Sequence, residues 1–148
     1  MAGAVQLLVD SDLDTVALVA RAVRAICSDR LSEEDLDAIE LSLVEATTNV
    51  IKHGYNGRSG ETLKIGVALH SDRVVIEVVD TAPPMDAAQL EQAGEERFDF
   101  DETNIESLPE GGMGLALIRM NMDEVEYVAQ KRQNRLRMTK MFAKPSTS

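Results

Sequence analysis

Apolar residues between Leu13 and Ile26 recur at helical spacing, at Leu13, Val16, Leu18, Val19, Val23 and Ile26, with Asp12 placed to cap the helix. A second helix is predicted from Ser32. Asp35, three residues on, gives the looser acidic form of a capping box, and Glu33 and Glu34 suit the positive end of the helix dipole. Leu36, Ile39, Leu43, Ala46 and Val50 form its apolar stripe, and Gly54 stands where a stop belongs. The spacing then changes to two. Leu63, Ile65, Val67 and Leu69 alternate with smaller or polar residues, Ser71-Asp72 makes a turn, and Val74, Ile76 and Val78 alternate again. This predicts an antiparallel hairpin with one buried face. Asp80 ends its second strand, and Pro83-Pro84 forbids continuation. Ala4–Val9 predicts an edge strand. Near the C-terminus, Gly111-Gly112-Met113-Gly114 opens a helix to about Asn121, followed by strands over Glu124–Ala129 and Arg135–Phe142 that turn at Gln133-Asn134.

Consecutive strands pair locally in this order. The predicted architecture is an α/β two-layer sandwich, a mixed and mostly antiparallel sheet with helices on one face. Neither a repeat nor a linker divides the chain, so residues 1–142 read as one domain and 143–148 as a frayed tail. Cys27 is the only cysteine, which forbids an internal disulfide and suits a reducing cytoplasm. Its apolar helical surroundings predict a small buried hydrophobe. Residues 1–10 lack the pattern of a signal peptide, and no segment approaches the ~20 apolar residues of a membrane span. The net charge of −11 argues against a general nucleic-acid binder. That charge is concentrated: Asp86–Glu110 holds nine acidic residues and one basic residue, Arg97. A loop of such length is uncommon unless it is functional.

Three features could carry chemistry. On the second helix, Glu45 and Asn49 are four apart and project from one face, with Ser42 and Lys52 on the same stripe and His53 at its margin. Most polar helix faces are simply solvated. The chemical alternative is that a carboxylate accepts a proton from an attacking hydroxyl, an amide oxygen ligates Mg²⁺, and Lys52 offsets phosphate charge. Asp80 at a strand end is commonly a turn former. Its functional use is to accept a hydrogen bond from an exocyclic amine such as that of adenine. The glycine cluster lets backbone approach a ligand, and the N–H groups of a helix start favour phosphate. It is neither a Walker A loop nor a dinucleotide fingerprint, because the following residues and the spacing are wrong.

The order of these features raises their weight. IELSLVEATTNVIKHGY (Ile39–Tyr55), VVDTAPPMD (Val78–Asp86) and GGMGLALIRMNMDEV (Gly111–Val125) resemble the N, G1 and G2 boxes of the GHKL (Bergerat-fold) ATPases. More closely they resemble those of the bacterial anti-sigma-factor serine/threonine kinases. The resemblance covers nearly the whole chain. It implies a Bergerat ATP-binding fold, ATP and Mg²⁺ as cofactors, Glu45 as general base and Asn49 as Mg²⁺ ligand. It further implies nucleotide contacts from Lys52, Asp80, Ala82, Met85, Gly111, Gly112, Met113, Gly114 and Leu115, and an ATP lid at about 87–110. The implied partners are a STAS-type anti-anti-sigma protein as substrate and a sigma factor held inactive, with the kinase itself a homodimer.

Two positions depart from the family pattern. Ala82 stands where the G1 box has glycine, and Pro109-Glu110 where many relatives carry a basic residue before the G2 glycines. The first predicts lower ATP affinity or a different loop path. The second removes a cation that would offset charge on the transferring phosphoryl group. The leading expectation is therefore a protein serine/threonine kinase. Its alternative is an ATP-binding module that sequesters a partner without phosphorylating it. The catalytic half of a sensor histidine kinase fits less well, for want of a dimerisation helix bearing a phospho-accepting histidine.

Overall fold

The computed structural model describes residues 3–83, 112–130 and 132–142. Five strands form one sheet in the order β1-β2-β3-β5-β4, where β1 is Gly3–Asp10, β2 Thr62–Leu69, β3 Arg73–Asp80, β4 Glu124–Gln130 and β5 Gln133–Met141. Every pairing is antiparallel. The helices are α1 (Val16–Cys27), α2 (Glu33–Asn49) and α3 (Gly112–Asn121). The period-two pattern explains the layering. Leu63, Ile65 and Val67 of β2, Val74, Ile76 and Val78 of β3, and Leu136 and Met138 of β5 are buried, and they share a core cluster with Val23, Ile39, Leu43 and Ile118 from the helices. Each such side chain contributes roughly 1.5–3 kcal/mol by leaving water. The α/β two-layer sandwich expected from the sequence is the observed fold. Among the described residues no helix is long and apolar enough to cross a membrane.

Local signals set the helix starts. Ser32 caps α2 by accepting a hydrogen bond from the Asp35 N–H at 3.1 Å. Asp12 caps a 3-10 turn, Leu13–Thr15, and α1 begins only at Val16. That leaves Leu13 outside α1. Val16, Val19, Ala20, Val23 and Cys27 face the core, whereas Leu13 and Leu18 are exposed at 45% and 61%. Cys27 is fully buried, and desolvation pushes its thiol up to about 11. Arg24 ties the first two helices together through Glu33, Asp37 and Glu40 of α2.

Two other boundaries differ from expectation. Helix α2 does not stop cleanly at Gly54 but runs into a π-helical turn, Val50–Gly54, closed by the Tyr55 N–H to the Val50 carbonyl at 2.8 Å. Such turns recur at functional sites. Gln133-Asn134 is not the turn of the last hairpin. Both residues lie within β5, with Gln133 opposite Gln130, and Asn134 opposite Ala129 on one side and Asp80 on the other. Asn134 reads as a turn residue by type, but pairing on both sides holds it extended in the sheet.

Candidate functional site

Helix α2 meets the start of α3 at Asn49, and the π-helical turn that follows it meets the turn after β3 at Gly54 and Ala82. The anchor is Gly114 in the first turn of α3. A Cβ at Gly114 would stand 2.6 Å from Asn49 Nδ2, 3.2 Å from Asn49 Oδ1 and 3.1 Å from Glu45 Oε2. Only a glycine admits this approach. Glu45 and Asn49 therefore meet Gly114, distant from them in sequence, at one point, where first-turn N–H groups of α3 lack intrahelical partners. Asn49 Nδ2 is buried and has no hydrogen-bond partner among the described residues. A buried amide left unpaired costs about 1–3 kcal/mol, an outlay best explained by a ligand that the protein does not itself supply. An oxygen-rich group such as a phosphate with its Mg²⁺ fits there: the amide offers an oxygen to the metal and N–H to a phosphate, beside a carboxylate.

Gly114→Ala tests this arrangement. The atoms in the way are the ends of flexible side chains, so the variant should fold. The methyl group should push the Asn49 amide aside and weaken the binding of a phosphate-bearing ligand with Mg²⁺ by about tenfold or more. An unchanged melting temperature with weakened ligand binding is the expected pair of readings. Parental affinity would show that the Asn49–Gly114 contact has no role.

Asp80 forms the other end of the site. It is 6% exposed. Its Oδ1 accepts the Ala82 N–H and the Asn134 Nδ2 amide, both at 2.9 Å. Among the described residues nothing donates to Oδ2, which leaves one oxygen free to accept from a ligand amine. Burial pushes the Asp80 carboxyl above its ordinary range, while the bonds from Asn134 and Ala82 oppose that shift. Asn134, itself buried, also donates to the Ala82 carbonyl at 2.8 Å. From the other side, the buried Tyr55 hydroxyl accepts the Thr81 N–H at 3.0 Å and donates to the Thr62 carbonyl at 3.0 Å. The turn Asp80–Thr81–Ala82 is thus held by three side chains. Neither Asn134 nor Tyr55 was assigned a role from the sequence, because only the strand register and the end of α2 bring them here.

The remaining predicted residues divide. Ser42 does not join the polar stripe: it is 1% exposed, and its Oγ has no hydrogen-bond partner among the described residues. It lies on the side of α2 that faces the core, next to Leu43. Lys52 sits exposed in the π-helical turn, off the regular register that put it one turn beyond Asn49, and forms no ion pair among the described residues. Leu115 is buried in the core, so its side chain serves packing and only its backbone can meet a ligand. Gly112 and Met113 open α3. Met85, Gly111 and the acidic segment 87–110, with the lid expected there, lie outside the described residues.

Residues 9–140 match the family model of the histidine kinase-like ATPase domain. The chain is 32% identical over 95 residues to a serine-protein kinase RsbW of Oceanobacillus iheyensis, covering 64% of this chain and 59% of that protein. It is 35% identical over 94 residues to the RsbW of Halalkalibacterium halodurans, covering 63% and 55%. The chain thus spans less than three fifths of the length of these curated relatives. Among solved structures, the RsbU and RsbW domains of a Mycobacterium tuberculosis protein share the fold, with a TM-score of 0.66 and 16% identity over 99% of this chain and 35% of that one.

Proposed function

The chain belongs to the histidine kinase-like ATPase domain family, and from that premise we propose that it is an ATP-dependent protein serine/threonine kinase of a partner-switching module. The observation that carries the reading is the meeting of Glu45, Asn49 and Gly114 at one point. ATP is the phosphoryl donor. Asp80 Oδ2 accepts from the adenine amine, which favours adenine over guanine. The start of α3 holds the phosphates, and exposed Lys52 adds positive charge nearby. Asn49 would hold Mg²⁺, which would supply charge compensation for the transferring phosphoryl group. Glu45 accepts the proton of a serine or threonine hydroxyl on the partner. That oxygen bonds to the γ-phosphorus as the bond to the β-phosphate oxygen breaks, and ADP leaves.

Similarity to the serine-protein kinases RsbW supports the reaction class. The acceptor we propose is a STAS-type anti-anti-sigma protein. The second partner is a sigma factor bound by the module, which acts as a homodimer. The test is to incubate the chain with γ-labelled ATP, Mg²⁺ and proteins co-purified from its host. Label on a serine or threonine of a partner is the expected result. Tight partner binding with no label would favour a sequestering module, and Pro109-Glu110 in place of a basic residue before Gly111 would be the physical reason.

A further inference from the structure

We infer that Gly54 is a positioning residue for the turn that carries Asp80, and that its lack of a side chain is what leaves room for the methyl group of Ala82 in that turn. The inference rests on the proposed function for its consequence, but on packing for its cause. A Cβ at Gly54 would lie 2.9 Å from the Ala82 Cβ, well inside the contact distance of two carbons. Ala82 is buried, so its methyl group cannot turn outward to solvent.

The turn cannot swing aside either. The Thr81 N–H is held by Tyr55, the Ala82 N–H by Asp80 and the Ala82 carbonyl by Asn134, at 3.0, 2.9 and 2.8 Å. Tyr55 follows Gly54 directly, so the segment that presses on Ala82 is the one that anchors Thr81. A methyl group on Gly54 must therefore move either the end of the π-helical turn or the Asp80–Ala82 turn. In both cases the free Asp80 oxygen shifts relative to Asn49 and Gly114. The end of α2 and residue 82 form one coupled unit, and the alanine at 82 is compatible with adenine recognition because position 54 is glycine.

Helix propensity alone makes the opposite prediction. Alanine is a better helix former than glycine, so Gly54→Ala without a clash should raise the melting temperature. We expect it to fall, and the affinity for Mg-ATP to drop by about tenfold or more, within the range seen for coupled neighbours. Preference for ATP over GTP should shrink as well, because the base is read through Asp80. Ala82→Gly placed in the same chain should bring all three readings back to those of Ala82→Gly alone, the fourth corner of the cycle. Calorimetry with ATP and GTP, and thermal melts, on the parent, both single variants and the double variant complete the cycle. A Gly54→Ala chain that melts higher and binds as the parent does overturns the inference. So does a loss that Ala82→Gly leaves uncorrected. Failure of the proposed function is distinguishable: a parent that binds no nucleotide overturns the positioning role, while the melting cycle still decides whether the two positions touch.

Discussion

Asp80→Asn is expected to lower affinity for Mg-ATP roughly 30- to 150-fold, the equivalent of about 2–3 kcal/mol for a hydrogen bond to a charged acceptor replaced by an unpaired buried donor. The substitution keeps the shape. Its amide oxygen can still accept from Ala82 and Asn134, as Asp80 Oδ1 does. Its amide nitrogen then takes the place of Oδ2 and meets the adenine amine donor to donor. The fold should not suffer. Because burial raises the Asp80 carboxyl on folding, its ionised form costs stability at neutral pH, and the variant lacks that cost. The variant should therefore melt no lower than the parent at pH 7. The sign then fixes the pH dependence. The parent's deficit should narrow as pH falls through its raised folded value and close near the ordinary 3.8. Parental ATP affinity should weaken over the same window as Asp80 takes up a proton. A variant that unfolds, or that binds ATP like the parent, would contradict the assignment.

Glu45→Ala should leave Mg-ATP affinity within a few-fold of the parent and reduce phosphoryl transfer to the partner by about 10²–10⁴-fold, the usual contribution of a positioned base. Asn49→Ala should differ by weakening both binding and transfer. The two residues are one helical turn apart and converge on Gly114, yet in the proposed reaction one would meet the attacking hydroxyl and the other the metal that holds the phosphates. The contrast separates the roles. Equal losses of binding in both variants would mean that Glu45 is a ligand contact, and parental transfer by Glu45→Ala would mean that it is not the base. Single-turnover transfer with a purified partner, alongside calorimetry, supplies both readings.

How much of this was legible in the sequence depends on whether the signal was local. The stripe from Leu36 through Ala46 and the alternation from Leu63 to Val78 specify α2 and the β2–β3 hairpin directly, because burial on one face imposes its period on the residues. Ser32 announces its cap for the same reason. Glu45 and Asn49 share a helix face by spacing alone, so half of the candidate site could be read without a structure. The other half depends on register. Asn134 is a turn residue by type, and only its place opposite Asp80 makes it a buried partner of that carboxylate. Ser42 shares the helix angle of Glu45 but sits where α2 meets the core. Leu18 has the right type for the stripe of α1, yet it stands about 100° round the helix from Val19 and faces solvent. Gly54 read as a helix stop, and nothing in its local sequence tells of the Ala82 methyl across the turn.

The central claim is that α2, the Asp80 turn and the start of α3 make one Mg-ATP site. Titrating the ¹⁵N-labelled chain with Mg-ATP and following its amide resonances tests it most directly. The account predicts that Asn49, Thr81, Ala82 and Gly114 shift together, with one shared dissociation constant, and that GTP reproduces the change only weakly. Shifts confined to the solvent-facing side of the sheet, around Glu77 and Arg137, with these four amides unmoved, would contradict it.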